Sequence, residues 1–447
     1  MATYGNSAGV QINTSSGSIA GVTIGREQYL FLIGVGNADT SIATNEPYNP
    51  NSRTDADDKF GAGSDLARAY NRALDNGANP DYVYGIQTSL SSESKTTTTG
   101  ELTNTPIVPD KSRITATGTT DSNEFDVYFD YQSTIDSPTG SEEVIVNPND
   151  GQVDATAEVT IETKYADWSS AIDSVSNELI EGEFAVINPL TNAPSVGDTL
   201  TSAMAEMRKD IKMVVGALGA DPNDIAVTAS EADGDDSLTI DDTPEFDTSA
   251  YTNPYDDDTL FAFAPTAADD LDDQHAEYGV EALSAVAVLM AGTNTDDPIY
   301  DDEIVSVGDF AQRISRADVQ NLRAAYTIPV RQAGSRRIES NVSTYDQEEN
   351  GGWTRDYFRR RIVDLSIATL YQVARNQMGS VLDSETIEDV QDSLDNQVAE
   401  FVEDGLLQPG SNTVNVFRKD SKTIGIDASV TPYGVAKEAD VELEVFA

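Results

Sequence analysis

RDYFRRRIVDLSIATLYQVARNQM, residues 355–378, decides how the chain is read. Phe358, Ile362, Leu365, Thr369 and Val373 recur at helical spacing, and Val363, Ile367, Leu370 and Ala374 widen the stripe into one broad apolar face. Arg359, Arg360 and Arg361 fall on the opposite side. Asp356, Arg360 and Asp364 are spaced four apart and support one another along the helix by roughly 0.2–0.5 kcal/mol per pair. Gly379 is the expected stop.

Downstream, a second helix is expected from Thr386, with Asp389 completing an approximate capping box and Ile387, Val390, Leu394, Val398 and Phe401 as its buried stripe. Gly405 ends it, and Leu406 and Leu407 fold back on its last turn. The period then changes to two. Val414 and Val416, then Ile424, Ile426, Ala428 and Val430, then Val441, Leu443 and Val445 alternate with polar or small neighbours, which are strand signals. A terminal strand of this kind completes its own sheet or adds to the edge of another subunit's sheet.

Upstream, Tyr29–Val35 reads as a buried strand, Ser64 caps a helix from Asp65 to Gly77, and Tyr82–Ile86 is a returning strand. Gly34-Val-Gly36 suggests a dinucleotide-binding turn, but the third glycine is missing and the following residues lead to Pro47 and Pro50 rather than a helix. Within residues 88–163, Phe125, Val127 and Phe129, then Val144 and Val146, then Val159 and Ile161 alternate, with Asn149-Asp-Gly151 as a turn. This reads as an inserted β module, with the Ser/Thr run 88–99 as its linker. From Trp168 the chain returns to α/β: a helix over Ser169–Leu179, a strand over Phe184–Ile187, and a helix around Met204 leading to Met213–Leu218. A strand at Ile225–Thr228, another at Leu260–Phe263 and a helix over Tyr278–Met290 follow.

The helix, the second helix ending in Gly405-Leu-Leu, and the strands with Thr431-Pro-Tyr433 resemble the C-terminal domain of contractile tail sheath proteins. Gly21-Val-Thr-Ile24, Phe31-Leu-Ile-Gly-Val-Gly36, Lys59-Phe-Gly61 and Asn76-Gly-Ala78 before Tyr82-Val-Tyr84 resemble their N-terminal pattern. The likeness covers residues 20–90 and 300–447 and lies in element order and short apolar phrases. It implies an α/β (α+β) multidomain fold. Residues 1–20 would be an N-terminal arm, residues 21–87 with 301–438 an inner domain near the tube, and residues 88–163 a β-rich outer module. Residues 164–300 would be an outer α/β domain, and residues 439–447 a C-terminal arm strand. Inter-subunit arm strands would carry Val10 and Ile12 at one end and Val441, Leu443 and Val445 at the other. The helix with Arg355, Arg359, Arg360 and Arg361 would face the tail tube. The implied partners are further copies in hexameric rings, a tail tube protein, and baseplate and tail terminator proteins, with no cofactor.

Composition bounds this reading. The 447 residues carry 27 Lys and Arg against 78 Asp and Glu, a net charge of −51. That charge opposes direct binding to nucleic acid and to anionic membranes. It fits the solvated acidic surface of a protein that works in concentrated salt, and hence a haloarchaeal virus or a related injection device. Absence of cysteine excludes a disulfide framework, a thiol nucleophile and a zinc-thiolate site. The opening residues lack a basic and apolar signal segment, and no apolar run approaches the roughly 20 residues needed to span a bilayer. The expectation is a protein assembled in the host cytoplasm into a virion tail.

Charge is also unevenly placed. No Lys or Arg stands between Lys212 and Arg313, whereas eleven of the eighteen arginines lie from Arg313 to Arg375. The acidic stretch is expected outermost. The arginines are expected to face something acidic, or else to pair with the chain's own acids. The sole histidine, His275, stands among acids at a helix start and reads as surface. No phosphate-binding loop, nucleophile elbow or zinc-protease motif is present. Asp256-Asp-Asp258 and Asp233-Gly-Asp-Asp236 lack calcium-loop spacing. The rival readings are another acidic virion or surface-lattice protein, such as a capsid subunit, and a halophilic α/β enzyme.

Overall fold

The computed structural model describes residues 2–4, 10–14, 28–37, 42–129, 135, 137–138, 140–220, 251–264, 280–292, 299, 302–304, 315–333, 335–338, 340, 343–344, 356–376, 384–419 and 424–433. The chain divides into two compact units, a larger one of residues 26–292 with 299–351 and a smaller one of residues 1–25, 293–298 and 352–447. The smaller unit opens with β1 (Ala2–Tyr4) and β2 (Val10–Thr14).

The larger unit starts with β3 (Tyr29–Gly34), β4 (Pro47–Tyr48), α1 (Arg53–Ala56), a π turn over Asp57–Gly61, α2 (Asp65–Asp75) and β5 (Val83–Gln87). A β module follows: β6 (Leu90–Glu101), β7 (Thr115–Gly118), β8 (Glu124–Phe129), β9 (Glu143–Val146) and β10 (Gln152–Ala166). The chain then runs through α3 (Trp168–Ser174), β11 (Phe184–Pro189), α4 (Pro194–Lys209), β12 (Met213–Gly219), β13 (Leu260–Ala264) and α5 (Val280–Gly292). It finishes with β14 (Glu303–Ile304), α6 (Arg316–Ala324), β15 (Ile328–Ala333) and β16 (Ser335–Ile338).

One nine-stranded sheet runs β14-β16-β15-β13-β12-β11-β3-β5-β4. Its six central strands, β15 to β5, are parallel, and antiparallel strands close both sides. Parallel strands are covered on both faces, which is why β11, β12 and β13 are buried at every residue and read as continuous apolar runs. Helix α2 shows the local logic. The Ser64 hydroxyl accepts from the Ala67 N–H as its cap, and Leu66, Tyr70 and Ala73 are buried.

The structure departs from three expectations. Residues 29–87 do not sit apart from 164–300: β11 pairs with β3 from Ala185↔Tyr29 to Pro189↔Ile33, so both stretches build one sheet, which β15 also joins. The stretch without Lys or Arg is not simply outermost, because it supplies the central strands β12 and β13. The Thr-rich run is not a linker but β6, laddered along β10 from Ala166↔Leu90 to Gln152↔Glu101. β-branched threonines suit an exposed, pleated edge, and the Thr96 and Thr160 hydroxyls bond across it at 2.9 Å. The strand expected at 225–228 lies outside the described residues.

The module closes on itself. A register shift between Asp154 and Val159 bends β10, so its first part pairs with β9 and its later part with β7. With β7–β8 antiparallel and β8–β9 parallel, the ring encloses Val127, Val144, Val146, Val153 and Ile161. Glu93 fastens β6 to the next loop by accepting from the backbone of Thr103 and Asn104 and from the Asn104 amide. Burial pushes the Glu93 carboxyl up, but these bonds outweigh it and hold it below its ordinary value.

Glycine is required at Gly85 for space. A Cβ there would collide with the ring of the fully buried Phe60 at Cζ. Gly85→Ala is therefore expected to cost about 1–3 kcal/mol by overpacking. Denaturant unfolding followed at the larger unit checks it, and an unchanged midpoint would show that the Phe60 ring moves aside freely.

Candidate functional site: the terminal sheet and the arginine helix

The smaller unit continues with α7 (Tyr357–Asn376), α8 (Ser384–Glu403), β17 (Thr413–Arg418) and β18 (Ile424–Ser429). Its sheet runs β1-β2-β18-β17, so strands from the two ends of the chain meet in one sheet. β17 and β18 form an antiparallel pair from Thr413↔Ser429 to Arg418↔Ile424. β2 joins β18 in parallel, Val10 opposite Ile424 and Ile12 opposite Ile426, and β1 turns back antiparallel on β2. Ile426, Val430 and Val416 are buried, as the period-two pattern requires. Phe417, opposite Gly425, packs its ring where a side chain on that glycine would stand. Val10 and Ile12 thus lie in a strand. Val441, Leu443 and Val445 lie outside the described residues, as do Gly379, Arg355, His275 and Asp233 to Asp236.

Helix α8 begins at Ser384, two residues ahead of the expected start at Thr386, and its buried residues Val390, Leu394 and Phe401 face inward. It stops as expected. Gly405 takes φ +75°, and the Leu406 and Leu407 amides donate to the Phe401 carbonyl. Glu385, Glu388, Asp389, Asp392, Asp395, Glu400 and Glu403 are exposed along the same helix.

Helix α7 departs from its expected basic outer face. Arg360 is 3% exposed and Arg361 5%, while Arg359 is half-buried. Arg360 donates from Nε and Nη2 to Asp364 Oδ1 at 3.1 and 2.9 Å, the four-residue pair that the spacing suggested. Arg361 Nη1 donates to the Tyr357 hydroxyl at 3.1 Å. The correction has a plain cause. Residues 360–371 are buried on every side of the helix, and a guanidinium taken out of water is retained where an acceptor stands close by, the Asp364 carboxylate for Arg360 and the Tyr357 hydroxyl for Arg361. Internal pairing with the chain's own acid is what Arg360 does.

One bridging side chain carried no signal in the sequence. Gln391 of α8 reaches β17: its Nε2 donates to the Val414 carbonyl at 2.9 Å and its Oε1 accepts from the Val416 amide at 2.8 Å. It neighbours Val390 of the buried stripe and reads in the sequence as an ordinary helix-surface amide.

The remaining candidate is the crevice where strand order reverses, between β3 and β11, the usual ligand position in doubly wound sheets. The chain fills it. Leu190 Cδ1 lies 2.7 Å from where a Gly34 Cβ would be, Gln87 Oε1 lies 2.6 Å from the equivalent point at Gly36, and Arg113 Nη2 donates to the Gly36 carbonyl at 2.9 Å. Gly34 and Gly36 thus serve close packing. Among the described residues no cluster of acids or histidine is arranged to hold a metal ion, and no helix is long and apolar enough to cross a membrane.

This architecture is the fold of contractile tail sheath proteins. The chain is similar to a chain of the anti-feeding prophage baseplate over 97% of both chains, with a TM-score of 0.55 and 11% identity. It is similar to the anti-feeding prophage helical sheath in the contracted state over 97% of this chain and 96% of that one, at a TM-score of 0.55 and 10% identity. A sheath tail protein from Listeria innocua aligns over 92% of this chain and 96% of its own, at a TM-score of 0.52 and 12% identity. At such identities the likeness is one of fold. The chain belongs to the family described as DUF2586, whose N-terminal domain matches residues 8–396. No curated protein matches the sequence.

Proposed function

We propose that the chain is a structural subunit of a contractile tail sheath, in a haloarchaeal virus or a related injection device. The observation that carries this is the near end-to-end likeness to sheath chains, 97% of this chain and 96% of the anti-feeding prophage sheath. The terminal sheet supports it, because strands from both ends of the chain meet there and such strands are exchangeable between copies. In this reading the subunits form hexameric rings stacked around a tail tube, between baseplate and tail terminator proteins. β2 and the segment with Val441, Leu443 and Val445 thread into neighbouring copies and stay engaged while the larger units rotate. Contraction is then a rigid-body repacking from a metastable extended lattice to a wider, shorter one. It needs no cofactor or nucleotide if the energy is stored at assembly.

With Arg360 and Arg361 turned inward, contact to the tube falls to Arg359 and Arg355 or to the acidic face of α8. The net charge of −51 requires concentrated salt for close approach of copies, since the Debye length shrinks to about 3 Å at molar ionic strength. Negative-stain electron microscopy in molar salt, with the tube protein supplied as template, is expected to show hollow striated tubes that loosen on dialysis to low salt. Closed shells would favour a capsid subunit. Particles dispersed under every condition, template included, would overturn the sheath reading. Tubes unchanged at low salt would overturn the screening argument.

A further inference from the structure

The outer edge of β17 is engaged by a side chain. Gln391 Nε2 donates to the Val414 carbonyl, Oε1 accepts from the Val416 amide, and Nε2 also donates to Asp395 Oδ2 at 2.9 Å. An added parallel strand makes the same two backbone bonds through a single residue opposite Asn415, accepting from the amide on one side and donating to the carbonyl on the other. The Gln391 amide therefore supplies the donor and the acceptor that one residue of the next strand would supply. An open strand edge is a template for pairing with any other chain, and native sheets cover such edges.

We propose that Gln391 is a displaceable plug on the β17 edge, released when residues 439–447 of a second copy take its place. This rests on the strand exchange of the sheath reading and adds the residue that controls it. Three features of the chain select that occupant. Val441, Leu443 and Val445 alternate with Glu442 and Glu444, so one face of the segment is apolar and the other acidic. β17 offers a matching apolar side, with Val416 buried and Val414 half-buried. Two of the 27 basic residues of this acidic chain, Arg418 and Lys419, are exposed at and just after the end of β17, where they can meet the acidic side chains of an added strand. The plug keeps the edge closed in a free chain and opens it only to a segment that makes more than two bonds there.

The test titrates a fluorescent peptide of residues 439–447 into the full chain, the Gln391→Ala variant and the Gln391→Glu variant, in molar salt below the concentration for polymerisation. Removing the competing amide is expected to tighten peptide binding roughly fivefold to tenfold in Gln391→Ala, the scale of one or two net hydrogen bonds. Gln391→Glu, which keeps an acceptor for Val416 and loses the donor to Val414, is expected to lie between. Hydrogen exchange at the Val416 amide gives the second reading. It is slow in the free wild-type chain, faster in free Gln391→Ala, and equally slow in both with peptide bound. Equal or weaker binding to the alanine variant, absence of binding to all three chains, or a Val416 amide that still depends on Gln391 with peptide bound would each overturn the plug. Failure of the wild-type chain to form tubes would overturn the sheath reading instead, and is read separately by electron microscopy.

Discussion

A chain shortened by residues 434–447 is expected to fold and yet to stay dispersed under conditions in which the full chain, on the sheath proposal, builds tubes. The reason lies in what each part of the terminal sheet is made of. β1, β2, β18 and β17 are all drawn from residues 2–14 and 413–429, so the described sheet needs nothing after Tyr433. The lost segment contributes to a neighbour in the proposed exchange. One hydrogen bond contributes only about 0.5–1.5 kcal/mol, but a strand of several residues forms several, and a helical lattice repeats them at every subunit. Sedimentation velocity and electron microscopy check the outcome, with circular dichroism confirming that the truncated chain is folded. Tubes of normal yield from the truncated chain would show that the terminal segment does not join subunits.

Asp364→Leu is expected to destabilise the smaller unit by about 3–5 kcal/mol, the scale of a buried ion pair that loses one partner. The Arg360 and Asp364 side chains are 4% and 1% exposed, so the guanidinium left behind has little water to turn to. Replacing both residues, with Arg360→Leu added, removes the buried charge and is expected to restore much of the loss, since paired charges and well-packed apolar groups are often close in free energy. A chain of two compact units does not unfold in one step, so hydrogen exchange along α7 is the measurement rather than a single melting temperature. A loss below about 1 kcal/mol, the level of an exposed pair, would mean that water reaches the pair.

The sequence by itself determined most of the local structure. Helical spacing predicted α7, Ser64 predicted the start of α2, Gly405 predicted the end of α8, and period-two alternation predicted β8, β9, β17 and β18. These signals are readable because each rests on contacts within a few residues. The Arg360–Asp364 pair was legible for the same reason, since one helical turn brings its members together. Tertiary structure alone decided that Arg360 and Arg361 are buried, because a helix pattern shows which residues share a face but not how much of the helix is covered. It also decided that the Thr run is β6, for an exposed polar strand is held by its ladder to β10, some sixty residues away in the chain, rather than by its own composition. The joining of β3 and β5 to β11, β12, β13 and β15 in one sheet, and the seating of Gln391 on the edge of β17, belong to the same class. Each depends on which backbone edges meet, and backbone hydrogen-bonding groups are the same for every residue type except proline, so the sequence carries no mark of them.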